Sequence, residues 1–394
     1  MKATKWKSYS LALIAGMSVL TACSSDDNND NGGNGNNGNG NEIENGTTLK
    51  GTITSDVTLT AGSTYKLSGE YIVEDGATLN IEAGVKIISI YDDIVDYILV
   101  KQGGKINAVG TSSAPIVMTS EKEEPGAWGG IHICGKAHTN AEGGKGSSEI
   151  GGATYGGNDD ADNSGTLKYV RVEYSGYAFD SEHEANGITF YGVGNGTTVE
   201  YCQAYKGSDD GFEFFGGSVN VNNLVSVSCS DDSFDWTEGW NGTATNLVAY
   251  QEAEETLGYD CDCLIEADNN ENNYAATPVA HPVLKNLILV GNNSAAGNRG
   301  IRLRRGTQVE IDGAKVCGKK NAVTLESEET ENALLAGTSK LANMTVDSEL
   351  RSEKNIYTND NFVSAGNTVD TSLKYTSFDD IKAECEWMAG NWVK

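Results

Sequence analysis

Basic side chains are scarce in this chain. Lys and Arg number 28 against 56 Asp and Glu, a formal charge of −28 at pH 7. Such an excess argues against nucleic acid and against docking on anionic lipid. It suits a soluble surface protein, a divalent cation or a neutral ligand. Proline is nearly missing, 4 residues against 48 glycines, which excludes proline-rich linkers and points to many tight turns. The 4 histidines show no Ser-His-Asp or Cys-His order, so no nucleophilic triad is legible. Long apolar runs are lacking too: residues 11–20 are too short to cross a bilayer as a resident helix. No segment before the C-terminus has a strong helical period.

Cysteine is present without a framework. Seven follow Cys23, namely Cys134, Cys202, Cys229, Cys261, Cys263, Cys317 and Cys385. The odd count and irregular spacing exclude a disulfide scaffold, and most read as small buried fillers. Cys261-Asp262-Cys263 offers two zinc-type ligands, but no spacing supplies the other two.

The N-terminus reads as an export signal over residues 1–22: Lys2, Lys5 and Lys7 precede the short apolar core. Leu20-Thr21-Ala22-Cys23 resembles a bacterial lipoprotein box, which implies a lipid on Cys23. Ser24-Ser25-Asp26-Asp27 resembles the surface-export signal of Bacteroidota lipoproteins, which implies the outer face of the outer membrane. Residues 23–41 continue as an Asn/Gly tract that cannot bury apolar surface and reads as a flexible tether. Residues 42–394 remain as the folded body, ordinary in length for a solenoid that adds coils.

A repeat decides the fold. Residues 207–217 read G-S-D-D-G-F-E-F-F-G-G and residues 229–239 read C-S-D-D-S-F-D-W-T-E-G, an offset of 22. That offset is too short for a βα unit and fits one turn of a β-solenoid. Thr78-Leu79-Asn80-Ile81 alternates with period two, and Tyr97–Val100 and residues 106–109 and 116–119 are similar short strands. A second register recurs as Gly130-Ile131-His132-Ile133, Gly187-Ile188-Thr189-Phe190, Gly211-Phe212-Glu213-Phe214, Ser233-Phe234-Asp235-Trp236, Leu264-Ile265-Glu266-Ala267 and Gly300-Ile301-Arg302-Leu303. The apolar pair points inward and the variable residue outward. A third register pairs asparagine with an apolar residue: Asn223-Leu224, Asn246-Leu247, Asn286-Leu287 and Asn343-Met344. It resembles the asparagine ladder of right-handed parallel β-helices. The expected fold is all-β, a right-handed single-stranded parallel β-helix. Ser377-Phe378-Asp379-Asp380 predicts a short C-terminal capping helix. Residues 139–164 and 252–281 read as long insertions.

The second register stacks His132, Thr189, Glu213, Asp235, Glu266 and Arg302 in one outward column. Strands of a sheet lie about 4.8 Å apart, so Glu213 and Asp235 cannot both ionise freely. One must take a proton, bind a cation or pair with a base. Asp209/Asp231 and Asp210/Asp232 repeat the conflict at the preceding turn. Two readings stand: a Ca²⁺ or glycan site, or carboxylates splayed into water with the turn aspartates capping backbone N–H groups. The Ca²⁺ set is Asp209, Asp210, Asp231 and Asp232; the ligand set is Asp210, Glu213, Asp232, Asp235, Trp240, Arg302 and Arg304. Trp240, after Gly239, reads as an exposed sugar platform and Trp236 as core. Arg299, Arg302, Arg304 and Arg305 lie within seven residues and neutralise the acids or hold a carboxylate or sugar hydroxyls.

Glu213 and Asp235 are also candidate catalytic carboxylates, since retaining glycosidases hold theirs about 5–5.5 Å apart. Ser208-Asp209-Asp210 resembles the paired-aspartate motif of pectin-cleaving β-helices. The chain departs from the polygalacturonase pattern, having neither Gly-His-Gly nor Arg-x-Lys. Residues 300–307 (G-I-R-L-R-R-G-T), with 276–282 (A-T-P-V-A-H-P) and Trp128-Gly129-Gly130-Ile131, resemble a broad family of right-handed β-helix surface lipoproteins of Bacteroidota. That likeness covers most of residues 50–390 and implies fold and location, with no catalytic assignment. The leading expectation is a lipid-anchored surface protein whose β-helical face binds an extracellular glycan, or another extracellular partner such as a protein, without catalysis. The alternatives are a polysaccharide hydrolase or lyase and an accessory subunit of an outer-membrane importer complex.

Overall fold

Period-two alternation gives strands, and the strands stack coil upon coil. The computed structural model describes residues 41–92, 94–179, 184–295 and 297–394. The export signal, Cys23, the tether up to residue 40, and His183 lie outside the described residues. Asn41, expected in the tether, already opens the strand Asn41–Ile43.

Each coil contributes to three parallel sheets. The first runs through Val57–Leu59, Thr78–Ile81 and Lys105–Val109 into the first half of Gly165–Glu173. The second runs through Lys86–Ser89 and Ile116–Ser120 into the second half of that strand. The third climbs from Tyr97–Val100 through Ile131–Cys134, Ile188–Tyr191, Phe212–Phe215, Phe234–Thr237, Ile265–Ala267 and Arg299–Leu303 to Asn321–Leu325. The fold is the expected right-handed parallel β-helix. Among the described residues no helix is long and apolar enough to cross a membrane.

From residue 165 onward one long strand per coil serves the first and second sheets by bending at a single left-handed residue. That corner is Tyr169, Tyr201, Asn223, Asn246, Asn286, Gly313 and Asn343 in successive coils, with φ from 52° to 83°. Asparagine takes this conformation more readily than other side chains, which is why it recurs there. The asparagine ladder follows from the stacking: Asn246 Nδ2 donates to Asn223 Oδ1 at 2.7 Å, and Asn286 Nδ2 to Asn246 Oδ1 at 3.3 Å. It is interrupted at Gly313, and Asn343 Nδ2 donates instead to Asp312 Oδ1 at 2.7 Å.

Inside the coils, aromatic rings stack along the axis. Phe190 lies on Phe214 at 5.1 Å, Phe212 on Phe234 at 5.5 Å, and Phe214 on Trp240 at 4.1 Å between centroids. Trp236 is buried as expected, and its Nε1 donates to Thr307 Oγ1. Trp240 corrects the sequence reading. It is 1% exposed, with Nε1 donating to Val219 O at 3.2 Å, and cannot be a surface platform. Gly239, at φ 89°, turns the chain back over the core, where the indole gains a stacked partner and a large buried area. The seven cysteines are all buried and free.

The short C-terminal helix is Phe378–Glu384, opened by a Ser377 capping box. The segment after residue 373 lies along the outside of the second sheet, over the apolar row Val225, Val248 and Ile288. Its Trp392 meets Tyr201 and Tyr169 edge-on at 5.7 and 6.0 Å. Helix Asn359–Ser364 places Phe362 in the main core of the last coils. The insertion at 139–164 carries the hairpin Gly146–Ser147/Thr154–Tyr155. The insertion at 252–281 rejoins the third sheet at Ile265–Ala267.

Candidate functional site

The outward column of the third sheet has the register the repeat predicts. His132 pairs with Thr189, Thr189 with Glu213, Glu213 with Asp235, Asp235 with Glu266, and Glu266 with Arg302. Just before each strand, the turn builds a second ladder. Asn186 Oδ1 accepts from Asp210 N at 3.1 Å, Asp210 Oδ1 from Asp232 N at 2.9 Å, and Asp232 Oδ1 from Cys263 N at 2.7 Å. Asp210 and Asp232 thus cap the N–H of the coil above, a role the sequence reading had given to turn aspartates in general.

Most of the column is shielded from water. The hairpin of residues 146–155 folds back over it, with Ile150, Ala153 and Tyr155 in an outer apolar cluster with Tyr97, Tyr191 and Phe215. Tyr155 OH donates to Glu238 Oε2 at 2.8 Å and Thr139 Oγ1 to the same oxygen at 2.6 Å. Asn140 Nδ2 donates to Asn269 Oδ1 at 2.9 Å and to Pro278 O at 3.0 Å, so the two insertions join in one rim. Glu213 is 9% exposed, and Asp210, Asp232 and Glu266 are buried as well. Asp235 is half-buried and Asp231 exposed at the rim.

Along the column the carboxylates crowd together, from buried Asp210 and Glu213 to exposed Asp231. Asp209/Asp210/Asp231, Asp210/Glu213/Asp235, Asp232/Asp235/Glu266 and Asp232/Asp262/Cys263 each place one ligand atom per residue within 4.8 Å of the others. Asp210, Asp232 and Asp235 each belong to two groups, so the four groups form a connected chain. A family model for the pectate-lyase-like β-helix domain matches residues 51–394. The chain belongs to that family. No curated protein matches it. Among solved structures, the crystal structure of Dettilon tailspike protein is similar at TM-score 0.33 and 10% identity, over 76% of this chain. The chain spans 56% of the tailspike's length.

In this pectate-lyase-like β-helix the acidic column divides in two. Its upper part is neutralised: Arg302 pairs with Glu266 and Glu326, and Arg304 with Glu266 and Asp268. Arg305 bonds Asp268 at 2.8 Å, and Arg299 reaches Glu326 at 3.3 Å. Arg302 and Arg304 are therefore engaged by acids, as bidentate guanidinium geometry favours. Among the described residues no salt bridge reaches Asp209, Asp210, Glu213, Asp231, Asp232 or Asp235. Burial and then the neighbouring acids push the Asp210, Glu213 and Asp232 carboxyls well above the usual range. Asp235 is pushed up to about 7 by burial, with Asp268 adding and Arg304 opposing. Asn186 Nδ2 offers relief to Glu213 Oε2 at 2.5 Å. Asp235 Oδ1 is buried with no hydrogen-bond partner among the described residues.

Several members escaped the sequence reading. Asn186 occupies the position of Asp210 and Asp232, and extending the repeat one coil back would have found it. Glu149 reaches Tyr191 OH at 3.2 Å from the first insertion, where no repeat exists to place it. His138 showed no partner spacing, yet it bonds Asp160 Oδ1 at 2.7 Å and Gly239 O at 2.9 Å. His281 stands 3.9 Å from Glu310. His132 is fully buried, and desolvation lowers it to about 4, so its ring is neutral.

Proposed function

We propose that this β-helix is a surface lipoprotein, held at the outer membrane through Cys23, that binds an extracellular glycan without cleaving it. The acidic column holds Ca²⁺ and locks the insertions over the third sheet. One observation carries this reading: the carboxylates converge, Asp210, Glu213 and Asp232 buried, and Asp235 Oδ1 lacks a hydrogen-bond partner among the described residues. Glu213 and Asp232 are buried, out of reach of a sugar ring, whereas a bare cation can sit among their oxygens. Calcium takes about six to eight oxygen ligands; each carboxylate group supplies three side-chain ligand atoms within 4.8 Å, and second carboxylate oxygens or water would complete the shell. Ion charge between the coils would offset the burial and mutual repulsion that push these carboxyls up.

Membership of a pectate-lyase-like family and the side-by-side Glu213 and Asp235 favour a second reading, polysaccharide cleavage. Product release separates the two. The mature chain lacking its lipid cysteine is incubated with plant and host polysaccharides, in Ca²⁺ and in chelator. Retardation of one polymer in affinity electrophoresis, with no new reducing ends or unsaturated products, is the expected outcome. Products that vanish in Glu213→Ala and Asp235→Ala would overturn it in favour of catalysis.

A further inference from the structure

The asparagine ladder has a gap, and the gap is a groove. In two successive coils the corner asparagine accepts from the one above it: Asn223 Oδ1 from Asn246, and Asn246 Oδ1 from Asn286. The next corner is Gly313, which has no amide to give, so the donor due to Asn286 Oδ1 is missing. A Cβ built on Gly313 would lie 3.6 Å from Asn286 Oδ1, an ordinary contact, so the space of one side chain is open. One coil further, Asn343 turns to Asp312 rather than down the ladder. The resulting notch is about two strand spacings tall, ~9.6 Å.

The notch opens into a groove of about 360 Å³ between the second sheet and the C-terminal segment. Ile288 and the half-buried Trp387 give it an apolar wall, and Asn286 and Asn343 an amide wall. Its only charged lining residues, Lys315 and Glu384, pair with each other. A groove with an aromatic wall, open amides and no net charge suits a ligand with an apolar face and a hydroxyl edge.

We propose that this groove binds a neutral saccharide unit, which stacks on Trp387 and donates one hydroxyl to Asn286 Oδ1 in place of the missing ladder amide. The inference deepens the glycan reading and rests on it, but uses a face other than the acidic column.

The decisive variant is Gly313→Asn. Asparagine already occupies this corner in four other coils at φ near 57°, so it suits the backbone and can donate to Asn286. The variant should fold with an unchanged or higher thermal midpoint while filling the notch. The probes are cello-, manno-, galacto- and xylo-configured tetrasaccharides, tested by saturation-transfer NMR and then by calorimetry up to about 10 mM. At least one should bind wild type, and Gly313→Asn and Trp387→Ala should each lose about tenfold or more in affinity. If a tetrasaccharide or retarding polysaccharide binds both variants as well as wild type, this site is wrong and the glycan reading stands. If wild type binds no tetrasaccharide and retards no polysaccharide, both fail.

Discussion

In chelator at pH 7.5, Asp235→Asn is more stable than the wild-type protein, and the difference disappears only below about pH 4, under the unfolded carboxyl's own value. The sign follows from the direction of the shift. The Asp235 carboxyl is raised from 3.8 to about 7 in the folded chain, chiefly by burial. Between those values the folded state holds a proton that the unfolded state has released. Stability from this group therefore falls as pH rises through that window, the reverse of a salt-bridged aspartate. At about 1.4 kcal/mol per pH unit, the rise at Asp235 amounts to about 4 kcal/mol at most. The neutral amide escapes that cost. Carboxylates held low by partners, such as Glu173 beside Arg171 and Glu326 beside Arg302, push the whole-protein profile the other way. The difference between wild type and Asp235→Asn removes their contribution. Calorimetric scans from about pH 3.5 to pH 7.5 read it directly, and a wild-type protein that outlasts the variant at pH 7.5 in chelator would contradict this.

Trp240→Ala should cost about 3–5 kcal/mol of stability, the usual range for deleting a fully buried aromatic. Phe214 loses its stacked partner at 4.1 Å, and Trp236 loses its neighbour at 5.8 Å. A solenoid spreads such a loss over adjacent coils, so the denaturant transition should broaden as well as shift. Polymer retardation, measured where the variant is still folded, should be unchanged. Intact stability with lost retardation would instead return Trp240 to the surface.

The fold was legible because a solenoid repeats its own errors and its own rules. The 22-residue offset, the apolar-variable-apolar register and the corner asparagines each recur often enough to be read against one another. Those same repeats brought Glu213 beside Asp235 and Glu266 beside Arg302. What stayed hidden lies where the chain leaves the repeat. The hairpin 146–155 has no periodicity, so nothing foretold that it would bury Glu213 and carry Glu149 toward Tyr191. Trp240 was misplaced for a related reason. It follows a glycine at the end of the repeat, and a turn inward and a turn outward look the same in one dimension. The groove at Gly313 is a third case, since a missing asparagine is visible only once the coils are in register.

Calorimetric titration of the mature protein with Ca²⁺ at pH 7.5 decides whether the acidic column is a cation site. Saturable binding is expected, with release of protons as the raised carboxyls ionise, and its loss in Asp235→Asn. Proton release is read by repeating the titration in buffers of different ionisation enthalpy. No binding, with a thermal midpoint indifferent to Ca²⁺ and chelator, would mean that the column holds no such cation.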